Sequence, residues 1–450
     1  MFGFENFVVI SEEQNITHNY NRVKKISITT LGCKTNQFES EAILNQFVKH
    51  GYVLCNLNDK PDIVIINTCC VTNRAEYKSR YAIRRALKSI SPGGKVVVAG
   101  CYVNKGSSFF NKNSERLVLF PNNKKHEIFH HIEKSTEESP QNFLELSTDS
   151  YYLHTRVPVK VQDGCSFFCA YCILPYVRGK PVSRPIRSVI EQVNTLAAKG
   201  VKEIILTGIN LGLYGFDLEN YNLLYLLKEI VRTDIQQIRL SSIEPMFFDD
   251  DLILFLASQE KICPHFHIPL QSGSDIVLAK MNRTYSTTDF MKIIENIKTA
   301  MPDTAIGCDV IVGFPGETDE EFCKTYDFIE DLPISYLHVF RYSPRKFTKA
   351  SEMKWDLNGT VSKKRMQSLL KLGHTKKNEY SKYLIEKKVP LKAVLETKEK
   401  EYWTSVSDHY VRIFLKDDNN TAENGMLKTV VSRELKTDNE GLIVEEFSHD

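Results

Sequence analysis

Residues 161–180 read VQDGCSFFCAYCILPYVRGK and place three cysteines, Cys165, Cys169 and Cys172, on one short loop. Three thiolates held this closely can bind three corners of a cubane iron-sulfur cluster and leave the fourth iron open to a ligand from outside the protein. A structural zinc site would need a fourth Cys or His, usually in a second pair, and the sequence beside the loop contains no such pair. The loop therefore predicts a cluster with a reactive open iron.

Strand-like and helix-like segments alternate downstream of this loop. The predicted strands end near Asp163, Gly208, Ser242, Pro269, Gly313 and Arg341. Six such units predict an α/β domain shaped as a partial (β/α)6 barrel, with functional residues at the carboxyl ends of its strands. The cysteine loop lies at the first of these ends, and we place the domain at residues 151–380.

The sequence on either side predicts two further domains. Short apolar strands alternate with amphipathic helices over residues 25–132, which indicates a doubly wound, flavodoxin-like domain at 24–136. The polar stretch 133–150 is interpreted as a linker. Short strands divided by polar turns over residues 390–447 predict a small antiparallel β-barrel at 383–448.

A second set of cysteines, Cys33, Cys69 and Cys101, follows the first three strands of the N-terminal domain. Because the carboxyl ends of parallel strands meet at one edge of a sheet, we expect these three side chains to be neighbours. Each one alone could be a small core residue, but their shared position favours a second three-thiolate site. The other cysteines are interpreted as structural: Cys55, Cys70, Cys263, Cys308 and Cys323.

Composition limits the cellular setting and the partners. The chain has 450 residues, 11 cysteines and a formal net charge of +2, and its apolar runs are strand-sized. We expect a cytoplasmic protein with free thiols and no membrane association. Residues 363–392 carry ten Lys or Arg against two Glu, which indicates either a phosphate-binding segment or a solvated helix face.

The cysteine loop resembles that of the radical S-adenosylmethionine (SAM) superfamily. The strings LGCKTNQFES, NTCCVTNRA and AGCY further resemble the methylthiotransferase family, as do LTGINLGLYG, RLSSIEP, HIPLQSGSD, CDVIVGFPGET and FRYSPRKFTKA. The resemblance implies two 4Fe-4S clusters. One, held by Cys165, Cys169 and Cys172, would cleave SAM to a 5′-deoxyadenosyl radical. A small electron-transfer protein would first reduce this cluster. The other, held by Cys33, Cys69 and Cys101, would carry sulfur that a second SAM methylates.

The same motifs supply candidate contacts to SAM or to the substrate. These are Gly208, Ser241, Glu244, Gln271 and Arg283, each of which could instead serve as a turn or cap residue. One residue departs from the family pattern. Phe347 stands where the sixth-strand motif usually has glycine, which leaves the conformation of that loop open.

The family contains enzymes for isopentenylated adenosine in tRNA, for threonylcarbamoylated adenosine in tRNA, and for an aspartate of a ribosomal protein. The residues that resemble the threonylcarbamoyl branch are Lys34, Glu39, Ser40, Val71 and Thr72. The C-terminal segment resembles a TRAM domain, so we expect an anticodon loop as partner, with Trp403 and Tyr410 either stacking on bases or packing in the core. The resemblance thus implies a methylthiotransferase that acts on threonylcarbamoylated adenosine next to the anticodon of tRNA. The rival hypotheses are a methylthiotransferase for isopentenyladenosine in tRNA or for a ribosomal-protein aspartate, a radical SAM enzyme without sulfur insertion, and a non-enzymatic RNA-binding protein.

Overall fold

The computed structural model describes residues 23–111, 116–135, 148, 150–151, 153–355, 358–417, 421–436 and 441–446. Most of the predicted linker lies outside these ranges, as do residues 1–22 and the last two residues of the predicted C-terminal domain. None of the helices in these ranges combines the length and the hydropathy needed to cross a lipid bilayer. The domain limits given above stay predictions.

The N-terminal domain is a parallel sheet with helices on both faces. Its elements are β1 (Lys25–Thr30), α1 (Lys34–Lys49), β2 (Val53–Leu54), β3 (Ile63–Thr68), α2 (Asn73–Ser89), β4 (Lys95–Gly100), α3 (Cys101–Lys105), α4 (Ser108–Asn111), β5 (Leu117–Phe120) and α5 (Ile128–Glu133). The strand order β2-β1-β3-β4-β5 is that of flavodoxin, which confirms the predicted fold.

Both faces of this sheet are buried because its central strands carry apolar side chains on both sides. Along β3, Val64 and Ile66 join one hydrophobic cluster, while Ile63 and Ile65 join the cluster on the other face. The alternation follows from the two-residue period of a strand. Helices cover both faces of such a sheet, so a ligand site is expected at the carboxyl ends of its strands.

The central domain is built around six parallel strands. Its elements are β6 (Val157–Lys160), β7 (Gln162–Asp163), α6 (Leu174–Arg178), β8 (Val182–Ser183), α7 (Ile186–Ala198), β9 (Glu203–Thr207), α8 (Leu223–Ile230), β10 (Gln237–Leu240), α9 (Asp250–Ser258), β11 (His265–His267), α10 (Asp275–Lys280), α11 (Thr287–Ala300), β12 (Ala305–Val312), α12 (Asp319–Asp331) and β13 (Tyr336–Arg341). The parallel strands are β6 and β9 to β13, and β7 and β8 form a separate antiparallel pair.

These strands form the predicted partial barrel. The sheets β6-β9-β10 and β11-β12-β13 are joined by a parallel bridge between Ile238 and Ile262. In β12, Cys308 and Val310 pack in the hydrophobic core with the surrounding helices. Asp309, between them, points the opposite way, into the barrel. The inner face is therefore polar, whereas the outer face supplies the main core.

The C-terminal domain follows the long helix α13 (Gly359–Glu386) and is a curled sheet. Its strands are β14 (Leu391–Val394), β15 (Thr397–Glu399), β16 (Tyr402–Val406), β17 (Arg412–Lys416), β18 (Leu427–Leu435) and β19 (Leu442–Glu446). The order is β14-β18-β19-β17-β16-β15. The pair β17 and β19 runs parallel, so the prediction of a purely antiparallel barrel is wrong at that pair.

Two aromatic residues expected near RNA have structural roles in this domain. Trp403 is 8% exposed and belongs to the domain core, so of the two roles left open for it the structure shows core packing. Tyr410 stacks on His265 of the barrel with ring centroids 4.1 Å apart. Arg239 in β10 donates to the carbonyl oxygens of Ser407 and Asp408. These contacts fix the C-terminal domain against the polar inside of the barrel.

Helix α13 uses several of its cations internally. The Arg365 guanidinium is buried and paired with Glu317 and Asp319 of the barrel. The Lys376 ammonium donates to the carbonyl oxygens of Glu330 and Leu332. The basic stretch 363–392 is therefore partly a packing element, and the phosphate-binding interpretation applies at most to its exposed lysines.

Candidate active site

The backbone conformation of the cysteine loop after β7 is fixed by the residues that pack around it. Gly164 has a φ of +74°, and a Cβ there would lie 2.0 Å from the carbonyl oxygen of Lys180, so only glycine fits. The Ala170 N–H donates to the carbonyl oxygen of Met281 at 2.8 Å. The loop is thereby held at the carboxyl end of the barrel with its thiols on one short turn.

Polar groups of the barrel converge on this loop. Arg283 Nη1 lies 3.2 Å from Cys169 Sγ, and the same guanidinium forms an ion pair with Glu244. Asn210 Nδ2 lies 3.9 Å from Cys165 Sγ. Within the described residues, Asn210 Oδ1 and Ser241 Oγ are buried without a hydrogen-bond partner. Buried polar atoms of this kind require a partner. The site therefore fits a cluster with a polar ligand on its open iron.

Two of the predicted SAM contacts have a visible backbone role. A Cβ on Gly208 would lie 2.8 Å from Gln162 Oε1, so this glycine makes room for a side chain of the protein itself. Gln271 has a φ of +69°, and its N–H donates to the carbonyl oxygen of Asp309 at 2.7 Å. For Gly208 and Gln271, contact with SAM stays a prediction, as it does for Ser241, Glu244 and Arg283.

The three N-terminal cysteines lie where the strand order expects them. Cys33 precedes α1, Cys69 follows β3, and Cys101 begins α3, at the carboxyl ends of the adjacent strands β1, β3 and β4. A Cβ on Gly32 would lie 3.0 Å from Cys69 Sγ, so the glycine keeps space open beside that thiol. Burial, and after it the nearby charges of Cys101 and Cys33, raise the pKa of the Cys69 thiol to about 12. The three thiols therefore form a set that binding to iron would deprotonate.

Cys70 points away from this set. Its thiol donates to the carbonyl oxygen of Cys101 at 3.3 Å, and its side chain belongs to the same hydrophobic core as Val64 and Ile83. This agrees with its interpretation as a structural residue. It also explains how adjacent cysteines take different roles, because successive side chains of an extended segment face opposite ways.

A buried network of charges joins the two candidate cluster sites. Glu39 of α1 contacts Lys125, Lys160 and Arg178, and Asp163 also contacts Lys160 and Arg178. All five side chains are at most 1% exposed. Although burial opposes its ionisation, Arg178 and Lys125 hold the pKa of Glu39 well below its usual range.

Three cations face two carboxylates in this network, so one positive charge is left over. Two thiols, Cys101 and Cys33, lie within electrostatic reach of Arg178. A surplus cation stabilises an anionic thiolate set, and removing a partner from a buried ion pair costs about 3–5 kcal/mol. The network thus couples domain packing to the charge of the N-terminal cysteines.

Next to Cys33, Lys34 is a cation without a partner. It is exposed, and it forms no ion pair or hydrogen bond with any residue that the structure describes. Although Lys34 reaches solvent, the surrounding protein atoms and, after them, the charge of Arg156 lower its pKa to about 8. Its other charged neighbours are already matched. Arg156 pairs with Glu396 at 2.8 Å, and Arg239 of β10 pairs with Glu203 of β9 at 2.7 Å.

Sequence reasoning missed a polar triad on the inner face of the barrel. His267 Nε2 and His338 Nδ1 lie 3.0 and 3.2 Å from Asp309 Oδ1. Burial opposes ionisation of Asp309, but hydrogen bonds from both imidazoles hold its pKa well below its usual range. For His267 and Asp309 the signal was present in the motifs HIPLQSGSD and CDVIVGFPGET, and His338 interrupts the apolar strand YLHVFR in the same way.

Phe347 keeps the backbone that a glycine would have. Its φ is +76°, a left-handed conformation that costs a residue with a Cβ about 1–2 kcal/mol. The ring is 49% exposed and lies 6.1 Å from that of Tyr176 in α6. The loop after β13 is thus preserved, at a cost in backbone strain.

We expect the variant Phe347→Gly to be more stable than Phe347→Ala by about 1 kcal/mol. The usual order at an ordinary site is the reverse, because glycine is the more flexible residue when unfolded. Both variants lose the ring, so the difference isolates the strain. Thermal unfolding of the two purified variants measures it. An alanine variant as stable as the glycine variant would show that the loop is not left-handed at this position.

The two cysteine sites lie in regions of the chain that match known protein families. Residues 159–329 match the Radical SAM superfamily, and residues 25–120 match a family described as Uncharacterized protein family UPF0004. Among solved structures, the radical S-adenosylmethionine methyltransferase TsrM of Kitasatospora setae superposes with a TM-score of 0.53 at 14% identity, covering 71% of this chain and 76% of that one. At such identity the likeness shows the fold, and it agrees with the predicted barrel.

Curated relatives are much more similar in sequence. The threonylcarbamoyladenosine tRNA methylthiotransferase MtaB of Aquifex aeolicus is 38% identical over 79% of this chain and 89% of its own length. The Bacillus subtilis protein of the same name is 37% identical over 87% and 90%. A tRNA-2-methylthio-N(6)-dimethylallyladenosine synthase of Pelotomaculum thermopropionicum is 34% identical over 78% and 82%. Given relatives of this identity over most of its length, the chain belongs to the radical SAM methylthiotransferases, a family whose members use SAM and a 4Fe-4S cluster.

Proposed function

We propose that this enzyme converts N6-threonylcarbamoyladenosine next to the anticodon of tRNA to its 2-methylthio derivative. The relatives named for that reaction support it. The observation that carries the choice of substrate is the unpartnered cation Lys34, because the threonyl group brings a carboxylate and an isopentenyl group brings no charge. The loop of Cys165, Cys169 and Cys172 would hold the cluster at which SAM would supply the radical needed to break the adenine C–H bond.

We further propose that the chain holds two 4Fe-4S clusters. Cys165, Cys169 and Cys172 would bind the cluster that cleaves SAM, which the convergence of Arg283 and Asn210 on that loop supports. The second cluster would be bound by Cys33, Cys69 and Cys101, whose thiols face one edge of the N-terminal sheet. The surplus positive charge around Arg178 favours it, because a thiolate cluster is anionic.

The setting of the reaction follows from these assignments. A radical SAM cluster needs an electron from outside the chain, so we propose a small reducing electron-transfer protein as a partner. We also propose a cytoplasmic location, where tRNA is found and thiols stay reduced. The free state of the described cysteines, from Cys33 to Cys323, is compatible with it.

Charge balance makes Lys34 the candidate for selecting the threonyl group. Around it, Arg156 and Arg239 each have a carboxylate of their own, so the local surplus is one positive charge. A substrate carboxylate removes that surplus. A hydrogen bond to a charged group contributes about 1.5–3 kcal/mol, which is roughly ten- to a hundredfold in affinity.

We therefore expect Lys34→Gln to lower kcat/KM for threonylcarbamoylated tRNA by about ten- to a hundredfold. Iron content and SAM cleavage without tRNA serve as checks that the neighbouring Cys33 site is intact. The matched control is Lys49→Gln at the other end of α1. Steady-state assays with purified tRNA measure the effect, and an unchanged kcat/KM in the Lys34 variant would contradict the role.

A further inference from the structure

Helix α2 begins just after Cys69 and Cys70, and one of its sides carries cations that belong to neither cysteine site. It has 17 residues, so it is about 25 Å long at 1.5 Å per residue. One side packs on the sheet through Glu76, Ser79, Ile83 and Ala86. The opposite side covers about 100° of the helix circumference at 3.6 residues per turn. Its exposed residues, which we call the α2 face, are Arg74, Tyr77, Lys78, Tyr81, Arg85 and Lys88.

The cations of the α2 face have no counter-charge among the described residues. None of the four forms an ion pair or hydrogen bond with a residue in the described ranges. The helix sequence contains one carboxylate, Glu76, which is buried and paired with Lys105 and Arg345. A surface of this kind attracts a polyanion.

Two aromatic rings lie among these cations. Tyr77 is 60% exposed and Tyr81 is 53% exposed, and they are one helical turn apart. Rings that point into solvent between cations suit a single-stranded nucleic acid, because bases stack on the rings while the cations meet phosphates. An acidic electron-transfer protein would match the cations but offers no unpaired bases to the two tyrosines.

The start of α2 is fixed beside the candidate active site. The Arg345 guanidinium, from the loop after β13, donates to Glu76 Oε1 at 2.6 Å and to the carbonyl oxygen of Cys70 at 3.2 Å. The Asn73 N–H donates to Ser343 Oγ at 3.1 Å. A molecule lying along the α2 face therefore passes within reach of the carboxyl edge that carries Cys69.

We infer that the α2 face binds the anticodon stem-loop of the substrate tRNA, an inference that rests on the proposed function. Phosphates of the stem contact Lys78, Arg85 and Lys88, while unpaired loop bases stack on Tyr77 and Tyr81 nearer the cluster edge. The helix thus orients the RNA so that its target base reaches the space between the two cysteine sites. This assigns tRNA recognition to the N-terminal domain as well as to the C-terminal one.

The test compares two variants that each lose three positive charges. One is Lys78→Gln, Arg85→Gln, Lys88→Gln on α2, and the control is Lys60→Gln, Lys228→Gln, Lys292→Gln, at exposed positions of the segment before β3, of α8 and of α11. Binding of threonylcarbamoylated tRNA to the cluster-loaded enzymes is measured over a range of salt concentrations. We expect the α2 variant to raise Kd at least about tenfold and to lower the salt slope by about two to three, with the control within about twofold of the parent enzyme.

Three outcomes would overturn the inference while leaving the proposed function intact. The α2 variant could bind tRNA like the parent enzyme, both variants could weaken equally, or the α2 variant could bind tRNA normally but accept electrons more slowly from reduced flavodoxin. In each case the parent enzyme still methylthiolates the tRNA. Failure of the parent enzyme itself to modify that tRNA would instead overturn the proposed function. Unchanged iron content and thermal unfolding show that the variant is folded.

Discussion

A variant with Cys165, Cys169 and Cys172 all changed to alanine is expected to produce no 5′-deoxyadenosine and no methylthiolated nucleoside. Without these thiols the barrel has no iron on which SAM could be bound and reduced. Acid–base groups such as His267, Asp309 and His338 inside the barrel do not replace a radical for an unactivated C–H bond. The assay is chromatography of the products after anaerobic reduction with SAM. Loss of activity should be complete within the detection limit.

The same variant should keep about four of about eight irons, because the N-terminal thiols are separate in the fold. A suitable control is Cys323→Ala, an exposed cysteine on α12, which should retain full iron and activity. Formation of 5′-deoxyadenosine by the triple variant would contradict the assignment of this loop.

Alanine at Cys33, Cys69 and Cys101 is the second change with a large expected effect. We expect about half of the iron to be lost and methylthio transfer to stop, while SAM is still cleaved to 5′-deoxyadenosine. The physical reason is that the two thiol sets lie in different domains. SAM cleavage would need only the barrel set, whereas methylthio transfer would need the radical from that set and the sulfur carried by the N-terminal set. Iron and sulfide analysis together with nucleoside analysis separates the two activities.

The control for this variant is Cys70→Ala, whose thiol faces the core and the carbonyl oxygen of Cys101 instead of the thiol set. It should keep all of its iron and lose only stability, since it removes one buried sulfur. If the triple variant kept its full iron content, the two-cluster account would be wrong. The enzyme would then lack the site that we propose for the inserted sulfur.

The positions of the six proposed ligands were predictable from sequence for a topological reason. Residues that follow parallel strands gather at one edge of the sheet whatever their distance along the chain. Cys69 and Cys101 therefore became neighbours on the basis of strand order alone. The barrel was predictable in the same way, because strands and helices alternate with apolar periods that only a parallel sheet buries.

Contacts between domains were not predictable, because they depend on pairs of charged residues that no local pattern links. Glu39 was noted only as part of a motif, yet it holds Lys125, Lys160 and Arg178 together from three separate segments. Trp403 was ambiguous for a different reason. An aromatic residue in a strand looks the same in sequence whether it faces RNA or the core, and here it packs inward.

The α2 face could have been recognised from sequence but was overlooked. In NRAEYKSRYAIRRALKS the cations recur at helical spacing opposite the apolar residues. The basic stretch 363–392 drew attention because its charges are denser along the chain. Density along the chain does not show which cations remain unpaired, and the structure shows that Arg365 is paired within the protein.

Mass spectrometry of tRNA nucleosides tests the central claim most directly. Cells lacking this gene and its relatives would be given either the parent protein or the Cys33, Cys69 and Cys101 alanine variant, and their tRNA digested to nucleosides. The account predicts 2-methylthio-N6-threonylcarbamoyladenosine with the parent protein and only N6-threonylcarbamoyladenosine with the variant. Appearance of the methylthio group on isopentenyladenosine alone, or an unchanged nucleoside profile, would contradict it.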